Sequence, residues 1–337
     1  MQEEIRVAVD AFGGDYAPSE IVIGAVQACI LDPGIQVILV GNEELIRNEL
    51  DQLDHQQVNV VIRHASEIVD MEDPASRSIK AKKDSSIAVA ARLVKEKEAE
   101  ACVSAGNTGA VASASLLIMG RLPGLSRPAI GIHIPAATRS VFLLDAGANA
   151  DCKPKNLVQF AKMADIYLEK VAGIKDPSVS ILSIGEERGK GNELVREAYG
   201  LLEESGLNFI GNAEGGDIPR GKSDIVVCDG FTGNVVLKLM EGTVHLLFSQ
   251  MKESFAATLR GKLGAALLRP EFKKLKRKLD PEEYGGTPLF GVDGVCIICH
   301  GSSKAKAIKN AVRVAAKTVR ENVTQAIAAE IGKEAAD

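Results

Sequence analysis

Short apolar runs alternate with longer helical patterns along most of this 337-residue chain. Several of these runs are apolar at successive positions rather than at every second one, which is typical of strands covered by helices on both faces. The alternation predicts a doubly wound α/β fold. The predicted strands cover residues 5–9, 36–40, 58–62, 101–104, 129–134, 141–145, 179–184, 208–210, 225–228 and 294–299.

Composition excludes several classes of protein. Aromatic residues make up 4% of the chain and the net charge is -5, which argues against a nucleic-acid-binding protein with stacking rings or a basic surface. No stretch approaches the ~18 consecutive apolar residues that span a bilayer, and the acidic start does not resemble a signal peptide. We therefore expect a cytoplasmic protein. No segment has the composition of a linker, so a single domain is predicted over residues 1–337.

The last third of the chain departs from the alternation. Residues 235–279 predict two or three helices and no strand, which we interpret as a helical hairpin inserted at about residues 240–282. Between Lys252 and Lys278 there are nine lysines and arginines and two glutamates, a net charge of +7. A final amphipathic helix is predicted over residues 303–331.

Two short motifs match known patterns in composition but not in context. Residues 216–223 fit the phosphate loop of nucleotide triphosphatases, yet the next residues predict a strand instead of the required helix. Cys296-Ile-Ile-Cys299-His300 fits a haem attachment pattern, but it lies in an apolar strand whose residues i and i+3 point to opposite faces. The histidines show no metal-ligand spacing and no dinucleotide fingerprint follows a strand, so no metal and no cofactor is predicted.

Five predicted strands end in turns rich in glycine, asparagine, threonine and serine. The carboxyl ends of strands form the ligand crevice of an open α/β sheet, where glycines let backbone amides approach an anion. These turns therefore predict one polar, anion-binding cleft. Their sequences are Asp10-Ala-Phe-Gly13-Gly14-Asp15, Ser104-Ala-Gly106-Asn107-Thr108-Gly109, Asp145-Ala-Gly147-Ala-Asn149, Asp229-Gly230-Phe231-Thr232-Gly233-Asn234 and His300-Gly301-Ser302.

Two charged segments would add cations to such a cleft. One covers residues 76–86, and the other covers residues 185–193, which include Lys190 and Asn192. For both segments a solvated surface is an equally good interpretation. Lys238 follows Asn234 by one helical turn and is predicted to point toward the cleft.

These motifs, in this order, resemble those of the bacterial phosphate acyltransferase family of the PlsX type. The resemblance runs from about residue 5 to residue 325, and it also includes Lys190-Gly-Asn-Glu193 and Tyr284-Gly-Gly286. It implies transfer of a fatty acyl group from the thioester of acyl carrier protein to inorganic phosphate, which gives acyl phosphate for phospholipid synthesis. It also implies a homodimer and a three-layer αβα sandwich with a mostly parallel, mixed sheet, similar to phosphotransacetylases and isocitrate-type dehydrogenases.

The implied reaction makes modest demands on the protein. Phosphate dianion is a competent nucleophile and a thiolate is a good leaving group, so positioning and oxyanion stabilisation would provide the catalysis. The residues predicted to act in catalysis are Asp10, Asp145, Asp229, Asn234 and Lys190. Those predicted to bind phosphate or substrate are Gly13, Gly14, Asn107, Thr108, Gly109, Asn149, Asn192, Thr232, Gly233, Lys238 and Ser302. For the aspartates, which would orient donors or accept a proton, simple capping of the turns is an equally good interpretation.

The basic hairpin suits three partners: an anionic membrane surface, the acidic acyl carrier protein, and a second copy of the chain. Downstream enzymes that use acylglycerol phosphate are a further expected contact. The residues predicted to make the membrane or carrier-protein contacts are Arg260, Lys262, Leu263, Leu267, Leu268, Lys273 and Lys274.

Three other functions fit parts of the pattern. A phosphotransacetylase would use coenzyme A and a short acyl group, but it would not require the basic hairpin. A dehydrogenase on the same fold is disfavoured by the missing dinucleotide fingerprint. A non-catalytic, membrane-associated scaffold for lipid enzymes would not need five polar turns.

Overall fold

The computed structural model describes residues 4–53, 58–279 and 281–334. Eleven strands in these residues form one sheet. They are β1 (Ile5–Asp10), β2 (Ile35–Gly41), β3 (Val60–His64), β4 (Ala101–Ser104), β5 (Ala129–Ile134), β6 (Val141–Leu144), β7 (Val179–Leu182), β8 (Phe209–Ala213), β9 (Ile225–Val227), β10 (Thr287–Phe290) and β11 (Val295–Ile298).

Helices connect most of these strands. They are α1 (Ser19–Leu31), α2 (Glu43–Leu50), α3 (Ala75–Ala81), α4 (Ser86–Lys95), α5 (Thr108–Ala114), α6 (Pro154–Tyr167), α7 (Glu193–Glu203), α8 (Gly230–Ala256), α9 (Leu259–Lys278), α10 (Ala305–Arg320) and α11 (Val323–Glu334). Two π-helical turns, Ser115–Met119 and Leu168–Ala172, continue α5 and α6, and a 3-10 turn covers Pro281–Tyr284.

The sheet is mixed, and its two halves run in opposite directions. Its strand order is β3-β2-β1-β4-β11-β10-β5-β6-β9-β7-β8. The first five strands are mutually parallel, and so are the last four. Between the two groups the pairings β11–β10, β10–β5 and β5–β6 are all antiparallel. Three reversals in a row leave β6 opposite in direction to β11.

Helices cover both faces of the sheet. In the first half, Val7 and Val9 of β1 pack in one apolar cluster with residues of α1 and α10. Ala8 and Cys102 face the other side and pack with α4 and α5. The predicted α/β class with helices on both faces is confirmed, because strands buried on both sides are apolar at successive positions.

Two elements near the carboxyl end differ from the prediction. β10 lies inside the sheet but was not predicted, because Pro288 follows two glycines in a short run that reads as a turn. The predicted single helix over residues 303–331 is divided into α10 and α11. Asn322 between them adopts a left-handed conformation with a φ of 52°, which an α-helix does not continue through.

The region between residues 230 and 278 forms two helices that pack on each other through residues such as Phe255 and Phe272, whose ring centroids are 5.5 Å apart. Thr258 begins α9 by accepting a hydrogen bond from the amide of Gly261 at 2.9 Å. Apart from Gly230 and Gly233 in the first turn of α8, neither helix has a buried residue. The helices therefore extend away from the core; residue 280, inside the predicted insertion, lies outside the described residues.

The two set-aside motifs have the expected context. A strand, β9, follows residues 216–223, so no helix starts at the lysine and serine of the phosphate-loop pattern. Cys296 and Cys299 are buried on opposite faces of the sheet, in different apolar clusters.

Candidate active site

The five glycine-rich turns fall into two sets. Those after β1, β4 and β11 leave one edge of the sheet, because these strands are adjacent and parallel. Those after β6 and β9 leave the opposite edge, together with the loop after β7. The five strand ends therefore do not share one edge of the sheet, since the antiparallel strands β10 and β5 reverse the chain direction between the two halves.

A buried carboxylate organises the first set. Asp10 ends β1, is 3% exposed, and accepts a hydrogen bond from the Ser104 hydroxyl at 2.6 Å. The Ser104 oxygen in turn accepts from the amide of Gly106 at 3.0 Å. Burial raises the pKa of Asp10, against the hydrogen bonds from Ser104 and Ser86 that lower it. Asp10 thus holds two turns together, and Ser104, absent from the predicted site residues, completes that link.

Close backbone approach explains the glycines of the first set. A Cβ built on Gly13 would stand 2.7 Å from both the Asp10 carboxylate and the amide of Gly106. Gly14 has a φ of +102°, which disfavours any other residue. The amide of Asp15 donates to the carbonyl of Gly301 at 2.8 Å, so the third turn joins the other two.

The start of α5 presents exposed polar groups beside this network. Thr108 and Gly109 are exposed in the first turn of the helix. The side chain of Asn107, in contrast, is occupied: its oxygen caps the amide of Ala110 and its nitrogen donates to the carbonyl of Met71 at 2.6 Å. Asn107 therefore positions the helix start, and Thr108 and Gly109 are the groups of this turn that a ligand can reach.

The turn after β11 supplies one more exposed hydroxyl. The Oγ of Ser302 is hydrogen-bonded to Nδ1 of His300 at 2.8 Å, and the backbone amide of Ser302 donates to the same nitrogen at 3.2 Å. The two side chains form a local hydrogen-bonded pair at the rim of the first set.

A second buried carboxylate organises the other set. Asp145 is fully buried and accepts five hydrogen bonds, from the amides of Ile130, Gly147, Ala148 and Asn149 and from the side chain of Asn149, at 2.8–3.1 Å. Burial raises the pKa of Asp145 against these donors. With all its lone pairs engaged, Asp145 fixes the backbone of its turn.

That fixed backbone lies against the start of α8. The amide of Gly230 donates to the carbonyl of Asn149 at 2.7 Å. Asp229 caps the helix, because its carboxylate accepts from both the amide and the hydroxyl of Thr232, at 2.8 and 2.7 Å. Asp229 and Thr232 thus satisfy each other and hold the first turn of α8 in place.

Asn234 is the exposed side chain that this arrangement presents. A Cβ built on Gly147 would stand 3.6 Å from its Cβ, so the side chain lies beside the turn that Asp145 fixes. Among the residues that the structure describes, the side-chain amide of Asn234 has no hydrogen-bond partner. Lys238, one helical turn further, forms an ion pair with Glu241 at 2.8 Å. The pair is exposed, so breaking it costs little free energy.

Lys190 belongs to the loop that leaves the same edge after β7. Asn192 caps α7 by accepting from the amide of Val195 at 2.9 Å. The buried side chain of Asn212, not among the predicted residues, donates to the carbonyl of Glu187 at 2.8 Å and ties down the loop. Lys190 is exposed and forms no ion pair within the described ranges, so its ammonium is available to an anion.

Both sets of turns lie next to the same apolar cluster of the core. Ala75, beside the first set, and Ala148 and Leu237, in the second, pack against the same apolar cluster on one face of the sheet. The structure thus gives two sets of polar groups: Asp10, Thr108 and Ser302 belong to connections at one edge of the sheet, and Asn234 and Lys190 follow the neighbouring strands β9 and β7 at the other.

Comparison with known proteins agrees with these motifs. A family model described as fatty acid synthesis protein matches residues 5–326. The chain belongs to this family. A phosphate acyltransferase from Heliobacterium modesticaldum is 50% identical over 326 residues, 96% of each chain, and one from Alkaliphilus oremlandii is 50% identical over 323 residues, also 96% of each. The predicted resemblance to phosphate acyltransferases is confirmed.

The family's fold also matches a solved structure. A phosphotransacetylase from Streptococcus pyogenes superposes with a TM-score of 0.64 at 19% identity and covers 94% of each chain. At that sequence identity the match is evidence for the fold alone, and it confirms the predicted similarity in fold to phosphotransacetylases. The helices of this family member include none, in the described residues, that is long and apolar enough to cross a membrane.

Proposed function

We propose that this chain moves a fatty acyl group from the thioester of acyl carrier protein to inorganic phosphate and releases acyl phosphate. The observation that carries the proposal is Asn234: its exposed side-chain amide has no partner among the described residues, and it lies beside a turn whose backbone a buried carboxylate fixes. Such a preorganised donor suits a developing oxyanion. The names of the half-identical relatives supply the reaction class.

The chemistry balances without a covalent enzyme intermediate. A phosphate oxygen attacks the thioester carbonyl carbon and forms a new C–O bond. The carbonyl oxygen carries negative charge in the tetrahedral intermediate, and collapse of that intermediate breaks the C–S bond and releases the carrier thiolate. The thiolate takes a proton from solvent. Catalysis then rests on holding the two reactants together and on stabilising the oxyanion.

The side chains divide into ligand-facing and positioning groups. Asn234 and Lys190 face the anionic reactants, because both are exposed and lack a competing partner in the described chain. Asp145 and Asp229 act through other groups: they fix the backbone that presents Asn234. Asp10 does the same for the start of α5, where Thr108 and Gly109 offer a second polar surface.

The hairpin of α8 and α9 provides contacts outside the site. Leu263 and Leu267 are 67% and 75% exposed on a segment with an excess of cations, and exposed apolar patches mark interaction surfaces. We propose that a second copy covers leucines of the hairpin in a homodimer. Arg260, Lys262, Lys273 and Lys274 then remain for the acidic carrier protein or for an anionic, peripheral membrane contact.

The reaction is tested by incubating the purified protein with palmitoyl acyl carrier protein, with and without phosphate. Free carrier protein and acyl phosphate are both measured. We expect phosphate-dependent release of carrier protein with an equal amount of acyl phosphate. No release, combined with phosphate-dependent consumption of acetyl coenzyme A, would make the protein a phosphotransacetylase. No turnover of either thioester would favour a scaffold.

A further inference from the structure

A groove lies between α3, α4 and the π-helical turn that follows α5. Its volume is about 460 Å³, within the range of about 300–1,000 Å³ that small-molecule sites occupy. Ile79, Ala88, Leu117 and Ile118 form its apolar lining, and Lys80, Lys83 and Arg92 complete it. The sequence separates these residues by up to 39 positions, so only the fold brings them together.

The π-helical turn shapes the apolar side of the groove. Ser115 and Met119 of this turn are buried, whereas Leu117 between them is 53% exposed. The wider winding of a π-turn changes which side chains face outward, and such turns occur frequently at functional sites. A leucine exposed next to the buried Ile79 and Ala88 costs hydration free energy unless a ligand covers it.

The cations of the groove form no close ion pair within the part of the chain that the structure describes, although Arg92, after hydrogen bonds from Ser66, helps to lower the pKa of the nearby Asp84. Lys82, between two of them in sequence, pairs with Asp73 at 2.7 Å and donates to the carbonyl of Ile68. Lys80, Lys83 and Arg92 form no ion pair with any carboxylate of the described residues. Arg92 donates to the carbonyl of Lys83 at 2.6 Å, which holds its guanidinium beside the groove. The site therefore complements an anion attached to an apolar body.

The groove continues from the first polar set. A Cβ built on Gly109, in the first turn of α5, would stand 3.0 Å from the Cβ of Ala75, and Ser76 and Ser113 are hydrogen-bonded at 3.0 Å one turn further along. The two helices therefore run side by side from the polar turn to the groove. Between Gly109 and Leu117 the axial rise is about 12 Å at 1.5 Å per residue, which a medium-length alkyl chain spans.

We propose that this groove binds the acyl phosphate product, an unbranched alkyl chain that bears a phosphate. The chain lies on Ile79, Leu117 and Ile118, and the phosphate faces Lys80, Lys83 and Arg92. This identification of the ligand rests on the proposed function, which makes such an amphiphile. An acyl phosphate that binds in the groove after it leaves the site of Asn234 and Lys190 is kept from hydrolysis in bulk water until it is passed on.

The test measures direct binding of stable alkyl phosphates by calorimetry, without carrier protein and without turnover. We expect dodecyl phosphate to bind, and affinity to rise about fourfold for each methylene that enters the groove. Leu117→Asp is expected to remove most of the chain-length dependence. Lys80→Gln with Lys83→Gln is expected to weaken dodecyl phosphate about tenfold while the chain-length dependence remains.

Matched controls separate the groove from general surface effects. Leu45→Asp removes another half-exposed leucine, on α2, and Lys317→Gln removes another exposed lysine, on α10. Equal losses in control and groove variants would overturn the proposal, as would dodecyl phosphate binding no tighter than inorganic phosphate. A different result would assign the groove to the carrier protein. In that case dodecyl phosphate does not bind, and Leu117→Asp raises the KM for acyl carrier protein equally for every length of the acyl chain. The groove would then hold the thiol-bearing arm of the carrier protein rather than the acyl phosphate. If alkyl phosphates bind but the protein shows no phosphate-dependent turnover, the proposed function is rejected and the groove remains a binding site for alkyl phosphates.

Discussion

The carbonyl oxygen of Asp145 occupies the place where a side chain at Gly233 would begin, since a Cβ built there would stand 1.9 Å from that oxygen. The oxygen belongs to the backbone and the position of a Cβ is fixed by the backbone, so neither atom can rotate away. The start of α8 and the turn after β6 are thereby locked together, and this contact sets the position of Asn234. The structure makes glycine obligatory at this point for steric rather than conformational reasons.

Gly233→Ala is expected to lower the free energy of unfolding by about 3 kcal/mol, because the added methyl group must displace buried backbone. Urea denaturation measures the loss. Gly242→Ala in the same helix is the matched control: nothing lies within 4 Å of its added Cβ, so it should stabilise the protein by about 0.5–1 kcal/mol. Equal stability of the two variants would contradict the contact described above.

Asn234→Ala is expected to lower kcat by about 10²- to 10³-fold, as removal of an oxyanion donor does. The side chain is exposed and has no partner in the described chain, so the unfolding free energy should change by less than about 0.5 kcal/mol. Turnover of palmitoyl acyl carrier protein and urea denaturation are measured together. Gln250→Ala, on the exposed part of the same helix, should leave both unchanged. Unchanged turnover in Asn234→Ala would remove this residue from the site.

Asp145→Asn is expected to lower the free energy of unfolding by about 3 kcal/mol. The amide nitrogen of asparagine would face the donors of Asn149 and its neighbours, so buried N–H groups would lose their acceptor. The exposed Asp151→Asn provides the control for the charge change and should have little effect. Full stability with lost turnover would instead indicate that Asp145 acts on substrate directly.

Acid is expected to destabilise the protein through His133. Burial among aromatic rings such as Phe142 and Tyr284 lowers the pKa of His133 to about 4, whereas the unfolded chain has a pKa of about 6.5. Between these values the unfolded state binds the proton and the native state does not, so stability falls as pH drops from about 6.5 to 4. The loss reaches about 3 kcal/mol at most.

His133→Phe isolates this contribution, because the burial of Asp10 and Asp145 raises the pKa values of those groups and acts in the opposite direction. When the pH is lowered from 7 to 4.5, the unfolding free energy should fall less, or rise more, in His133→Phe than in the parent protein. His245→Gln, at an exposed position on α8, should keep the parent's difference. The same pH dependence in all three proteins would refute the role of His133.

Charged residues introduced in place of the exposed leucines of the hairpin are expected to dissociate a homodimer. Leu263→Asp with Leu267→Asp should halve the mass measured by sedimentation at micromolar concentration, because two carboxylates cannot be buried in an apolar interface. Arg260→Gln with Lys262→Gln should keep the mass but raise the KM for the acidic carrier protein, most strongly at low salt. An unchanged mass in the leucine variant would exclude this face as the interface.

Strand positions could be predicted because strands buried on both faces are apolar at successive positions, as at residues 101–104 and β4. The same rule fails for β10, whose four residues include Pro288; its place in the sheet depends on partners far along the chain. The family could likewise be predicted, because the turn motifs are local and their order is visible in the sequence.

The role of each polar residue in the turns was decided by tertiary contacts. Asn107 and Asn234 are both asparagines in glycine-rich turns, yet the first is held by the carbonyl of Met71 and the second has no partner in the described residues. Lys82 and Lys83 are adjacent, yet Asp73 neutralises only the first. Which donors remain free for a ligand depends on which acceptors the fold brings within about 3 Å.

Local pattern thus determined the α/β class, the glycine turns and the family, because periodicity and turn chemistry act over a few residues. Only the tertiary structure decided that the turns form two sets and that Ile79, Ala88 and Leu117 line one groove. The direction of each strand and the meeting of distant helices follow from long-range pairing and packing, which no short segment of sequence encodes.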